Sequence, residues 1–468
     1  MLFNTPQFVI MLLSLIVIWY VIPSYSKKIF LLIVDYYFSY SLGGFGTLVA
    51  LLLVTSFTYF AGIILEKTTK KKQCLLMSVA ALVALLIYSK YVGLVNGIFE
   101  KTSGTTLYVI TMIGVSYYVF SSISYLVDIY INRDCSDYNF LNVALWLSFF
   151  TKIIAGPIER HAALAKQFKN INNLTFEFET VKKGLLICAY GYFYKMIIAD
   201  RIGLFVDAVY GNIDSQYGLT LFITMVLYSL QIYFDFAGYS FIAYGASYAM
   251  GIRISRNFEQ PYFSSSVSEF WKKWHISLSS WLRDYIYIPL GGNRKGKFRQ
   301  YFNIIITFLI SGAWHGAGLT YIMWGALHGV YQVIEKSLNI RRKLSASIST
   351  AITFICVSFA WIFFRADSIS DAIRFIFQMF RWNPWILTDG TLVSFGMDIL
   401  DWGVIIVSVS LAFLIEYKKN HGFSIYRYVM SKNIIVRWLF YYLVIVLLMI
   451  MGKYGAIYDA TNFIYYKY

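Results

Sequence analysis

FGTLVALLLVTSFTYFAGIIL, residues 45–65, runs for 21 positions without a charged side chain. A helix needs about 20 predominantly apolar residues to cross the hydrocarbon core of a bilayer. Coiled as a helix, this stretch is long enough to do so, which fixes the solvent around it as lipid. The lysine-rich EKTTKKK (66–72) ends it at a water-facing boundary. Upstream, Phe8–Val21 is apolar, follows no basic segment and precedes no small-x-small cleavage site, so it is expected to remain as a first transmembrane helix.

The same reading extends over the chain. Of 468 residues, 59% are hydrophobic and 14% charged, with a mean hydropathy of +0.61. A soluble chain carries roughly a quarter charged residues, so a soluble enzyme, a disordered chain and a nucleic-acid-binding domain are excluded as the whole answer. The net charge of +16 fits Lys and Arg in cytoplasmic loops and against anionic lipid; no nucleic-acid partner is expected. Cys74, Cys135, Cys188 and Cys356 form no CxxC pair and read as small hydrophobes.

Apolar segments fall near 8–24, 29–41, 45–65, 74–98, 105–131, 139–155, 184–208, 218–237, 239–252, 302–313, 317–335, 348–365, 394–416 and 434–452. Several are too short to span alone, so an all-α, polytopic protein of about 10–12 spans is expected. The pieces 239–252 and 302–313 read as half-helices or re-entrant segments. Without a Pro-, Gly- or Ser-rich linker, 1–468 reads as one membrane domain: N-terminal helices (1–155), a motif-bearing core (156–335) and C-terminal helices (336–468). The basic loops 66–72 and 253–301 are placed on the cytoplasmic side, and Arg341-Arg342-Lys343 and Lys418-Lys419 add further charge.

Within 264–301, Ser266 and Glu269 have the spacing of a capping box. Phe270, Trp271, Trp274, Leu278 and Trp281 share one stripe at helical period, with Lys272 and Lys273 off it. An amphipathic interfacial helix closing at Pro289 is expected, His275 bordering its aromatic face.

Ionisable residues at membrane depth are functional candidates. His315, in FLISGAWHGAG (308–318), is flanked by Gly312, Gly316 and Gly318, which admit a close backbone or a thin acyl chain. A catalytic base and a hydrogen-bonded core histidine both fit that placement. His328 lies 13 residues on, close to the opposite face of any continuous helix, and reads first as a core histidine. Asp235 reads as a polar lock with Gln231 one turn earlier. Arg283-Asp284 reads as a surface ion pair, and GGNRKGK (291–297) as a positive-inside loop or a phosphate cradle. His161 and His421 read as solvated surface residues. No His or Cys pair has metal-ligand spacing, so no metal is expected.

Taken together, QIYFDFAGYS (231–240), NFEQPY (257–262), FWKKWHISLSSWLRDYIYIPLGGNRKG (270–296) and SGAWHGAGLTYIMWGALHG (311–329) resemble the membrane-bound O-acyltransferases, in particular the bacterial branch around alginate O-acetyltransferase. GPIER (156–160) and WIFFRA (361–366) extend the likeness. The resemblance implies a ring of helices around a central tunnel, an acyl donor entering from the cytoplasm and an acceptor hydroxyl from outside. It maps the catalytic histidine to His315 and its polar partner to His275, with His328 and Asp235 at other recurrent positions. Phe241 departs from the pattern, since relatives often carry an acidic residue there.

Trp314, His328, Asp235, Trp274, Arg283 and Asp284 are then expected to line or support the tunnel, and Asn293, Arg294 and Lys295 to meet donor phosphates. A neutral imidazole suits proton abstraction near pH 7, so His315 is expected to act as base, with His275 orienting the acceptor or stabilising the thioester oxygen. The implied donor is acetyl-CoA, used as a substrate with no bound cofactor, and the acceptor a polysaccharide at a bacterial plasma membrane. A periplasmic or extracellular acyltransferase partner or a cytoplasmic carrier protein is a further possible partner. D-alanyl transfer to teichoic acid and polysaccharide transport are the alternatives.

Overall fold

In a computed structural model, residues 1–103, 112–338, 345–454 and 464 are described. Arg341-Arg342-Lys343 and the start of the 105–131 segment lie outside them. Among the described residues the chain is helical, with no strand.

The N-terminal third comprises α1 (Pro6–Val21), α2 (Lys27–Lys67), α3 (Lys71–Ser103), α4 (Val115–Tyr130), α5 (Phe140–Ser148) and α6 (Phe150–Ile153). The middle holds α7 (His161–Lys169), α8 (Phe178–Tyr192), a π-helical run Phe193–Ala199, α9 (Asp200–Tyr210), α10 (Leu219–Ala249), α11 (Val267–Lys273), α12 (Ile276–Leu282), a second π run Arg283–Tyr287, α13 (Gly296–His315) and α14 (Leu319–Leu338). The rest is α15 (Ala346–Arg365), α16 (Ile369–Met379), α17 (Ile399–Asn420), α18 (Ile425–Met430) and α19 (Ile434–Met451). Six helices among the described residues are long and apolar enough to cross a membrane, and α1 is a shorter apolar helix. This is an all-α, multi-pass membrane protein.

Three expected boundaries move. The segments 29–41 and 45–65 form one element, α2, kinked where Gly43 and Gly44 leave helical backbone geometry. The segments 218–237 and 239–252 are a single 31-residue helix, α10, so 239–252 is no half-helix. The segment 302–313 is likewise the body of α13, a 20-residue helix.

Between α8 and α10, glycines allow backbone contact. A Cβ on Gly191 would sit 2.6 Å from the Gly238 carbonyl oxygen, and one on Gly245 would sit 2.6 Å from that of Gly184. In lipid no hydrophobic drive pulls helices together, so such close packing of small residues supplies the association energy. The same device joins α13 to α14: a Cβ on Gly312 would meet the Tyr321 carbonyl oxygen at 2.3 Å. Gly312 thus admits a backbone, one of the two occupants that its sequence context allowed.

Candidate active site

The amphipathic segment breaks where sequence periodicity runs straight on. Ser266 caps α11 as expected, its Oγ accepting from the Glu269 backbone N–H at 3.0 Å. The Glu269 carboxylate accepts from Ser265, not Ser266, through both backbone N–H (3.1 Å) and hydroxyl (2.8 Å). Burial alone would raise this carboxyl, but hydrogen bonds from Lys273 and Ser265 outweigh it and hold it below the ordinary glutamate range. The helix then stops at Lys273. His275 takes a left-handed conformation (φ +40°, ψ +55°) before α12 begins, and a π run follows instead of one helix to Pro289.

The loop carrying NFEQPY imposes this break. Asn257, fully buried, accepts from the Ile276 backbone N–H through its carbonyl (2.9 Å). Its Oδ1 accepts from the Ser277 hydroxyl (2.7 Å) and backbone N–H (3.4 Å). Ser277 Oγ in turn accepts from the Ile158 backbone N–H at 3.0 Å, tying in GPIER. Asn257 and Ser277 lie within the NFEQPY and FWKKWHISLSSWLRDYIYIPLGGNRKG stretches but do not stand out there, because an asparagine in a loop and a serine in an amphipathic helix carry no signature of their own. The break turns His275 inward: the ring is 0% exposed and meets Phe236 edge-on at 4.7 Å.

His315 is the last residue of α13. Its ring is 2% exposed and touches Trp314 (4.8 Å between centroids), Trp324 (5.0 Å) and Phe364 (5.2 Å). The Trp314 indole also meets His275 at 6.2 Å, so the two histidines, from separate elements, flank one tryptophan. Tyr117 and Phe120 of α4 close the outer side of that indole at 6.1 and 5.3 Å. The WIFFRA stretch contributes Trp361 and Phe364 to the same aromatic wall, and Trp274 packs on Trp361 at 5.1 Å.

His328 is buried in α14, its Nδ1 accepting from the Trp271 indole N–H at 3.2 Å. The opposite-face argument fails, because residues 316–318 interrupt the helix between the two histidines. Both rings contact Trp324, His315 at 5.0 Å and His328 at 5.1 Å. His328 Nε2 is buried without a hydrogen-bond partner among the described residues.

Asp235 lies in a polar lock, but its partner is Lys195, not Gln231. Lys195 Nζ is 2.6 Å from Asp235 and 2.7 Å from Asp200, all three buried. The π run that carries Lys195 and its 40-residue separation from Asp235 hide this pair from any local reading. Phe241 fills its site with ring contacts to Tyr190 and Tyr194 at 5.2 and 5.6 Å.

Arg283 and Asp284 form an ion pair at 2.7 Å, Arg283 largely exposed, and Asp284 also pairs with Arg160. His161 corrects its expectation: it is buried, its Nδ1 2.8 Å from Asp134 and its ring between Tyr125 and Trp146. Asp134 and Asp137, whose carboxylates it faces at 2.8 and 3.8 Å, lie 27 and 24 positions earlier, beyond local pattern. His421 is exposed. Among the described residues no three His, Cys, Asp or Glu side chains converge as a metal-ligand group.

A cavity of about 540 Å³ opens between α11–α12, α13 and α14. Trp271, Ile304 and Phe308 give it an apolar floor, and Lys272, Arg283 and Lys336 are its cations. Trp271 and Phe308 also contact His328, so the floor backs onto the buried histidine wall. Asn293, Arg294 and Lys295 sit exposed in the turn before α13 and do not line this cavity.

The model of the membrane-bound O-acyltransferase family matches residues 31–365. A Pseudomonas syringae protein named "Probable alginate O-acetylase" is 35% identical over 402 residues, 83% of this chain and 77% of that protein. A Helicobacter pylori peptidoglycan O-acetyltransferase is 33% identical over 424 residues, 82% and 80% of the two chains. A Bacillus subtilis teichoic acid D-alanyltransferase is 28% identical over 275 residues, 54% and 67%. The chain belongs to the membrane-bound O-acyltransferase family and is an O-acyltransferase.

Proposed function

We propose that the protein moves an acetyl group from acetyl-CoA on the cytoplasmic side of a bacterial plasma membrane to hydroxyls of an exported or cell-surface polysaccharide. The observation that carries this reading is the pair His315 and His275 flanking the Trp314 indole, on separate elements, inside an aromatic wall. The long matches to O-acetyltransferases of alginate and peptidoglycan support both the acetyl group and the polymeric acceptor.

His315 takes the proton of the acceptor hydroxyl as its oxygen attacks the thioester carbonyl. His275 donates a hydrogen bond to the carbonyl oxygen as it gains negative charge. Collapse breaks the C–S bond, and the proton on His315 passes to the departing thiolate, giving the acetyl ester and free CoA thiol. The aromatic surroundings keep out the water that would hydrolyse the thioester. The donor's anionic head sits at the cavity with Lys272, Arg283 and Lys336. From Phe308 on its floor to His315 is seven residues of helix, about 10 Å at 1.5 Å per residue.

The test is mild-base release of ester-linked groups from surface polymers of a deletion strain. Wild-type protein should restore ester acetate; His315→Ala, inserted at the same level, should not. Restoration of acetate by the alanine variant removes the base assignment. Loss of ester-linked D-alanine in place of acetate moves the acyl group to that of the teichoic acid enzymes. No ester change at all, with the protein inserted, rejects acyl transfer to a surface polymer and turns attention to transport.

A further inference from the structure

The apolar run 74–98 carries a single charge, Lys90. Lys90 stands in the last turn of the apolar span Lys71–Val92, half-buried, and an ammonium drawn out of water there takes a polar partner. Among the described residues no carboxylate lies within ion-pair distance of it. Its Nζ instead donates to the His315 carbonyl oxygen at 3.5 Å and lies 5.5 Å from the centroid of the Trp314 ring. These two residues form the last turn of α13, whose terminal carbonyls lack intrahelical donors. The negative end of the helix and the face of an indole both attract a cation. Lys90 thus meets, from a helix more than 200 positions away in sequence, the backbone of one site residue and the ring of the one before it.

We propose that Lys90 is a positioning residue for acyl transfer, its ammonium holding the C-terminus of α13 and the Trp314 indole so that the His315 imidazole faces the acceptor. The inference rests on the reading of His315 as the base. An apolar side chain at position 90 would fill the same volume but leave the carbonyl and the indole without their cation. Charge and placement are therefore separable from packing.

Inside-out membrane vesicles of the host, supplied with radiolabelled acetyl-CoA, report transfer as base-labile label on polymer. Lys90→Met should lower kcat about 10- to 100-fold, the scale of a displaced catalytic group, with KM for acetyl-CoA unchanged. Lys90→Arg should recover most of that loss. A methionine variant with wild-type kcat, a rise in KM alone, or equal losses in the methionine and arginine variants would each overturn the assignment. If Lys90→Met does not accumulate in the membrane, Lys90→Cys decides the matter. Treatment with 2-bromoethylamine, which rebuilds a side chain ending in an ammonium, should restore transfer, and 2-bromoethanol should not. Equal response to both reagents refutes a role for the charge. His315→Ala is assayed beside them. Transfer retained there defeats the base reading, whereas a dead alanine variant beside a fully active methionine one defeats only the role of Lys90.

Discussion

His275 holds a left-handed backbone that costs a residue other than glycine of order 1–3 kcal/mol. Three hydrogen bonds donated to Asn257 by the following Ile276 and Ser277 keep it there. Conformation and chemistry at this position can be separated, because asparagine tolerates left-handed backbone better than alanine. His275→Asn should keep a melting temperature in detergent closer to wild type than His275→Ala, while both lose ester formation. An asparagine variant with substantial transfer would show that the imidazole is not required. Asn257→Ala removes the Oδ1 acceptor and leaves Ser277 partly unsatisfied, a loss of about 1–3 kcal/mol for a buried group. Transfer should fall with it while the protein remains inserted, measurable as ester acetate per inserted molecule; unchanged transfer would disconnect the loop from the site. The aromatic stripe at 270–281 was legible at this scale, and its residues are buried as its period implies. The break within it was not, because the hydrogen bonds that impose it come from a loop 18 positions away and leave the periodicity intact.

Gly238 and Gly191 face each other across α8 and α10 closely enough that either side chain would strike the opposing backbone. That contact explains why α10 read as two pieces. A glycine two positions before Ser240 in an apolar run resembles a boundary, yet here it lets one long helix approach another. Gly191→Leu forces the pair apart, and overpacking of this kind costs typically about 1–3 kcal/mol. The variant should melt lower in detergent. Transfer should fall as well, since Phe236 on the displaced helix is the ring that seats His275. Gly403, in α17, has open space where a Cβ would go. Gly403→Leu should stay within about 0.5 kcal/mol of wild type, which makes it the control for side-chain size alone. Equal melting of the two variants would mean that the α8–α10 contact does not limit stability. The helices α13 and α14 teach the same lesson. Their glycines were visible in sequence as room for something, but only the fold shows Tyr321 filling it.

The two ends of α10 differ in how their charges are balanced. Beyond Ala249, residues 253–301 carry Arg253, Arg256, Lys272, Lys273, Arg283, Arg294, Lys295, Lys297 and Arg299 against Glu259, Glu269 and Asp284. Around Leu219 the cations are fewer: Arg365 pairs with Asp207 at 2.7 Å, Arg374 pairs with Asp214, and Arg381 lies over the Tyr217 ring. An excess of Lys and Arg favours the cytoplasm, acidic neighbours counting for little; residues 253–301 hold nine such cations and residues 365–398 three. The positive-inside rule therefore predicts that the end bearing the 540 Å³ cavity faces the cytoplasm, the side from which the proposed acetyl-CoA donor would enter. Two consequences can be measured. In intact cells an impermeant maleimide should label a cysteine placed at Asp389, in the loop beside the far end, and should leave one at Lys297 unlabelled until the membrane is opened; the reverse pattern would invert the orientation. Lys272→Ala together with Lys336→Ala should raise KM for acetyl-CoA severalfold, with kcat little changed, because charges on an exposed mouth hold the donor head without touching the reacting carbonyl. Added salt should weaken donor binding to the wild type and have less effect on the double variant, since screening acts on charges that the variant no longer has. A double variant with wild-type KM would mean that the donor head binds elsewhere. A change in kcat alone would place these lysines with the reacting groups, and the cavity would then be part of the catalytic chamber and not its entrance.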